Sequence, residues 1–570
     1  MPAERVRNAF LLALALLLLA GCGEGEAGDI DTAAFERIPE AERYGGTAIL
    51  PTISGLTTMN PLVVGDYGSQ VAQRSLLFTP LVRYDENLEP MAGIAERWDT
   101  VRVAPDTLEI TFHLRRDLRW HDGEPVTAED VLFTFERMTD PRVAYPGIAR
   151  LAHWSRRAEL LDSHTLRFRL RPHPEFLEVW YVTPVVPRHI LGSVPPEELR
   201  THPFGTQAPV GNGPFRFVRH VANQEWVFEA NPDYPESLGG RPYLDRVVYR
   251  HVPDATTTLT EVLTGRVDEA GLRPEQVERV RAAPNVRVVQ FTIPQWTYIG
   301  WNTRLPLFED ARVRRALTMA LDRQAIVDGV LYGIPEVGRS PVTPAHWAFA
   351  GDDPQTWVPY DPEGARRLLA EAGWTPGPDG ILRDASGRRF SFTVKTRLGN
   401  DSWREITEIM QAQYARLGIE VRPQLVEGAT LVQHLQGRVN AQGERVRNFE
   451  AVVLNWVEAF GKDDSPLLHS RSRNEPQGYV GYANPEADRL LDTLAVIVDR
   501  EEARPFWIRY QRLMASEVPY TVLYYGKPTV AVSNRLQGVQ MDARGDLATV
   551  QRWWIPPSLR RETGRAGGQQ

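Results

Sequence analysis

The chain has 570 residues, 42% hydrophobic and 24% charged, which excludes intrinsic disorder as its main state and leaves length for several domains. A formal net charge of -8 with a pI near 5.9 argues against a sequence-independent nucleic-acid binder. The single cysteine excludes a disulfide framework and any cysteine-based structural zinc site.

Taken in chain order, residues 1–21 read as a signal peptide: Arg5 and Arg7 precede a twelve-residue apolar run, Ala9 to Ala20. Twelve helical residues span about 18 Å, too short for a bilayer core of about 30 Å. The run ends in Leu19-Ala20-Gly21-Cys22, which resembles the lipobox of bacterial lipoproteins and makes Cys22 the expected lipidation site. Residues 22–44, rich in Gly, Ala, Asp and Glu, read as a flexible tether. Leu108, Ile110, Phe112 and Leu114 alternate with period two, as do Leu166, Phe168 and Leu170, and predict half-buried strands. Thr127 to Asp130 forms a capping box ahead of Val131, Leu132 and Phe135. Asp361-Pro362 and Asn484-Pro485 each set an N-cap and a first-turn proline. Ser402 with Glu405 predicts the start of a helix that carries Ile406, Ile409, Met410, Tyr414 and Leu417 and stops at Gly418. Residues 561–570 read as a disordered polar tail. No later stretch approaches eighteen uninterrupted apolar residues.

A search for chemistry returns little. HExxH, GxSxG and Walker motifs are absent, and no two histidines stand at the i, i+4 spacing of a helical metal site. His121-Asp122 reads as a turn before the capped helix at Thr127 rather than a metal or acid–base site. No nucleophile, metal ligand or cofactor motif is nominated, so binding is the expected activity.

Seven blocks carry a family resemblance. Ala95-Glu96-Arg97-Trp98 with Ile110 to Arg115 and Trp120 to Val131 resembles the signature of extracellular solute-binding proteins of the oligopeptide/dipeptide/nickel class, which feed ATP-driven importers. In the family's order follow Gly211-Asn212-Gly213-Pro214-Phe215, Asn231-Pro232-Asp233-Tyr234 and Tyr298 to Asn302. Then come Val313 to Leu317 with Ala320 to Arg323, Ala370 to Trp374, and Tyr482 to Asp488.

The resemblance implies an α/β bilobal clam-shell, like the type II periplasmic binding proteins, with mixed sheets. Residues 45–295 plus 525–560 would form lobe I, with an inserted subdomain at about 88–205, and residues 296–524 would form lobe II. It implies a monomeric lipoprotein of the cell envelope, held on the periplasmic or extracellular face by its lipid. Its partners would be a peptide or small-molecule ligand and an ABC permease with its ATPase. Rival classes are an envelope hydrolase on the same tether and a sensor without transport.

Site residues come from the resemblance as well. The loop after the first strand supplies Thr57, Thr58 and Met59. Arg397 follows a strand where dipeptide binders place a carboxylate-holding arginine, whose forked donors suit both oxygens. Asn400, Trp403 and Tyr479 complete the expected wall. Trp456 matches a cleft tryptophan, but the position of the ammonium-binding aspartate is Ala459, so Glu458, Asp463 or Asp464 is the expected substitute.

Overall fold

The computed structural model describes residue 35 and residues 37–561 apart from Glu175 and Ala459. The signal peptide, Cys22, most of the tether and all but the first residue of the tail lie outside the described residues. Local signals translate directly. The strand Thr107–Leu114 buries every second residue, and Thr165–Leu170 pairs with it antiparallel. These strands join Ala95–Ala104 and Trp154–Asp162 in a four-stranded antiparallel sheet. The capping box at Thr127 opens the helix Ala128–Thr139, which presents Phe135 to Phe168 and Trp180. One start signal shifts. The helix Asp401–Ala415 is capped by Asn400, whose side chain accepts from the Trp403 amide at 3.0 Å. Ser402 is thus inside the first turn, because the asparagine two residues earlier already reaches the first free N–H groups. Gly418 ends that helix with φ 79°.

Two further sheets carry the amino-terminal half. Thr47–Thr52, Arg246–His251, Glu225–Ala230 and Phe215–Val221 pair in that order, the first pair parallel and the others antiparallel. Glu269–Gly271, Thr529–Ser533 and Val286–Gln290 form an antiparallel trio in which the carboxy-terminal segment sits in the middle. The largest core accordingly gathers buried residues from Ala48 to Phe291 and again from Val530 to Ile555. The five-stranded sheet Glu420–Val426, Ser391–Arg397, Ala451–Val457, Gln295–Trp301, Tyr520–Tyr525 organises the rest. Two cores pack on it, both drawn from residues between Trp296 and Tyr525. Separate cores make two lobes.

The chain crosses between the lobes twice, at residues 291–294 and 526–528, and the crossings bond to each other. Gly526 N donates to Gln295 O at 2.7 Å, Ile293 N to Gly526 O at 3.3 Å, and Phe291 N to Pro528 O at 3.3 Å. Contact is close enough to demand glycine: a Cβ on residue 526 would meet Gln295 Cβ at 2.8 Å and Ile293 Cγ1 at 2.9 Å. A paired two-stranded crossing concentrates any relative motion of the lobes in a few backbone dihedrals.

Candidate functional site

Strand direction places the site. Glu420–Val426, Ser391–Arg397 and Ala451–Val457 run parallel. Gln295–Trp301 runs against Ala451–Val457 with Gln295 opposite Val457, and Tyr525 lies opposite Trp296. Three carboxyl ends and both crossings therefore share one sheet edge. Open α/β sheets bind ligands outside such an edge. Two apolar side chains stand exposed there, Leu398 at 58% and Val457 at 56%.

The residues expected from sequence divide around this edge. Arg397 is exposed at the end of its strand. Trp456 is half-buried, directly across the strand pair from the fully buried Trp296. Asn400 is occupied as the helix cap, and Trp403 packs in a core with its indole N–H on the Tyr524 hydroxyl at 3.0 Å. Tyr479 is buried in the neighbouring core, hydroxyl to hydroxyl with Tyr298. On the opposite lobe Met59 is a core residue, Thr58 bonds Gly205 O at 3.2 Å, and Thr57 is exposed with its hydroxyl on Asp66.

The carboxylates behind the edge are committed elsewhere. Glu458 and Asp464 are buried with Lys462, whose Nζ also donates to Pro341 O at 2.7 Å. Asp464 takes a second bond from the Tyr510 hydroxyl at 2.8 Å. One ammonium cannot neutralise two carboxylates. Burial, with the Asp464 charge adding to it, pushes Glu458 up to about 7 against the pull of Lys462. Asp463 is the exposed member of the expected trio, and Ala459 lies outside the described residues.

The first lobe contributes a wall that the sequence did not reveal. Tyr67, 62% exposed, opens a helix capped by Asp66. Arg74 stacks over Tyr67 at 5.6 Å and over Tyr181 at 5.2 Å. Tyr181 in turn meets Phe460 of the second lobe at 5.2 Å. Beside this row stand Tyr249 and the half-buried Glu269 and Asp546. Burial first, then the Asp546 and Asp268 charges, raises Glu269 well above the usual carboxylate range, and burial raises Asp546 too. The Tyr67/Arg74 pair had a faint signal, an i, i+7 spacing after the Asp66 cap. Glu269 and Asp546 had none, being far apart in the chain.

The lobes touch at the other end of this row. Glu178 accepts from Phe460 N at 3.1 Å and Gly461 N at 3.0 Å. Arg500 bridges to Glu89 at 2.6 Å and Leu88 O at 2.7 Å. The paired crossings, the open sheet edge and the Glu178 and Arg500 contacts all stand where the two lobes meet. Residues 89–477 match the family described as bacterial extracellular solute-binding proteins, family 5. The chain belongs to this family.

Among family-5 relatives, the oligopeptide-binding protein AppA of Bacillus subtilis is 31% identical over 550 residues, covering 96% of this chain and 97% of AppA. The structure of that AppA in complex with a nonapeptide superposes with a TM-score of 0.72 at 30% identity, over 90% of this chain and 99% of that one. Heme-binding protein A of Haemophilus influenzae is 26% identical over 567 residues, 94% of this chain and 96% of that protein. The substrate-binding protein CtaP of Listeria monocytogenes shares the fold, with a TM-score of 0.77 at 22% identity over 90% of this chain and 100% of that one. The bilobal, type II-like architecture of the family is thus the architecture here. Among the described residues no helix is long and apolar enough to cross a membrane.

Proposed function

We propose that this chain is the lipid-anchored capture component of an ATP-driven importer, closing its lobes on a peptide or peptide-like solute and passing it unchanged to a permease and ATPase. The observation that carries the reading is the 31% identity, over 96% of the chain, to a protein named for binding oligopeptides, on a fold whose two crossings are bonded to each other beneath an open sheet edge. In this reading residues 45–295 with 525–560 act as one rigid body, carrying the inserted subdomain at about 88–205, and residues 296–524 as the other. Cys22 carries the lipid, which with an amide-linked acyl chain satisfies the two-signal condition for stable anchoring at the envelope surface. Thr57, Arg397 and Trp456 line the cleft together with Tyr67 and Arg74. Glu458 is spent on Lys462, so the solute's positive groups meet the Glu269/Asp546 side of the first lobe. The protein acts as a monomer.

Mass spectrometry of solute co-purifying with the native protein identifies the ligand class. Calorimetry with that solute, combined with X-ray scattering, is expected to show saturable binding and a smaller radius of gyration. Binding with an unchanged radius refutes enclosure, and release of a cleaved solute refutes passive capture.

A further inference from the structure

A cavity of about 520 Å³ lies within the first lobe, behind the Arg74 and Tyr181 row. That volume is in the range of small-molecule sites. Four guanidiniums line it: Arg74, Arg83, Arg544 and Arg552. Of these, Arg544 is paired, with Asp542 at 2.6 Å. Among the described residues no carboxylate lies within 4.0 Å of Arg74, Arg83 or Arg552. Arg74 Nη2 donates to Arg544 O at 3.3 Å, while its Nε is buried without a partner among the described residues. Arg83 uses its Nε on Ala92 O at 2.7 Å, which leaves the paired outer nitrogens of its fork for something else.

The acidic residues nearby do not fill that role. Asp85 accepts from the Asn87 and Glu89 amides in its own turn, and Glu86 is exposed at the rim. Burial holds the Arg83 guanidinium below its ordinary value, and Arg115, Arg544 and Arg552 push the same way. Arg74 has Asp546 and Glu178 within electrostatic reach, but Arg83 and Arg552 face the cavity with no carboxylate partner among the described residues, and cations gathered in this way favour an anion joining them. Across the cavity Tyr234 donates to the Thr79 hydroxyl at 3.0 Å and Thr79 donates to Asn212 O at 3.1 Å, so this wall is already satisfied and the guanidiniums are the cavity's free donors.

We propose that this cavity is an oxyanion-binding pocket, taking a carboxylate or phosphate group between the guanidiniums of Arg83 and Arg552, with Arg74 lining the same cavity. Guanidinium forks match the two oxygens of such groups. The anion has two possible sources, a free organic acid or an acidic side chain of a captured solute entering past Arg74.

Calorimetry on the full-length protein in detergent, with citrate as the probe, tests the pocket. The wild type is expected to bind citrate saturably, and Arg83→Gln and Arg552→Gln each to weaken it about tenfold or more, the loss of one charge-assisted contact. Arg552 is exposed, so its variant is expected to melt as the wild type does and to remain informative if Arg83→Gln folds poorly. No saturable binding at millimolar citrate, or binding that Arg552→Gln leaves intact, overturns the proposal. A second arm compares two nonapeptides differing by one Glu for Gln. A preference for the Glu peptide that Arg552→Gln abolishes assigns the pocket to the solute's side chain; citrate binding alone assigns it to a free acid. The citrate arm needs no peptide capture, so failure of the pocket and failure of the receptor reading are told apart.

Discussion

Removing the Glu178 carboxyl should loosen the closed state without unfolding either lobe. Both of its oxygens hold backbone amides of the opposite lobe, Phe460 N at 3.1 Å and Gly461 N at 3.0 Å, in a buried setting beside the Tyr84–Tyr181–Phe460 rings. Each hydrogen bond is worth about 0.5–1.5 kcal/mol net, and a buried amide left without a partner costs about 1–3 kcal/mol. Water reaches these amides once the lobes part, so Glu178→Ala penalises closure by about 2–3 kcal/mol. At 1.4 kcal/mol per factor of ten, solute affinity should fall roughly thirty- to a hundredfold. Glu178→Gln behaves differently. Burial raises the Glu178 pKa, with Arg150 and the two amides opposing it. A group raised on enclosure favours the enclosed state below its raised pKa and loses that benefit as pH climbs through it. The Glu178→Gln side chain keeps one acceptor oxygen but turns an NH2 toward the other backbone N–H, so it should lose that pH dependence and bind more weakly than the wild type, though by less than Glu178→Ala. Calorimetry and scattering of both variants provide the assay. Wild-type affinity and compaction in Glu178→Ala would refute the clasp.

Two further predictions concern the second lobe. Glu458, raised by burial to about 7, stabilises the fold below the unfolded carboxylate range and loses that contribution as pH rises through 7. Wild-type melting temperature should therefore drop between pH 6 and pH 8, and Glu458→Gln should flatten the profile; parallel profiles would show that Glu458 stays ionised beside Lys462. Trp456→Ala should weaken solute binding with little change in melting temperature, because the indole is half-buried at the sheet edge opposite Trp296. A melting-temperature loss of about 4 °C or more with unaltered affinity would assign it to the core instead.

Much of the second lobe's local structure was legible because its signals are neighbours in sequence. Asn484 reaches the Glu486 and Ala487 amides within one turn, and Leu490, Leu491 and Leu494 then fall on one buried stripe. The Asn400 cap was misjudged by two residues, since Ser402 and Asn400 present similar oxygens and the Asn400 side chain already takes the Trp403 amide. Among expected site residues, Trp403 and Tyr479 illustrate the limit. An aromatic side chain fits a pocket wall and a core equally well, and these two are enclosed by partners from distant strands, Tyr524 and Tyr298.

Family membership and the alternation of strands with capped helices follow from the linear chain, because each rests on residues a few positions apart. The hinge, the clasp and the arginine cavity belong to tertiary structure alone. Gly526 meets Ile293, Glu178 meets Gly461, and Arg83 shares a cavity with Arg552. Loop-closure entropy keeps such pairs apart in the unfolded chain, and only completed cores hold them together.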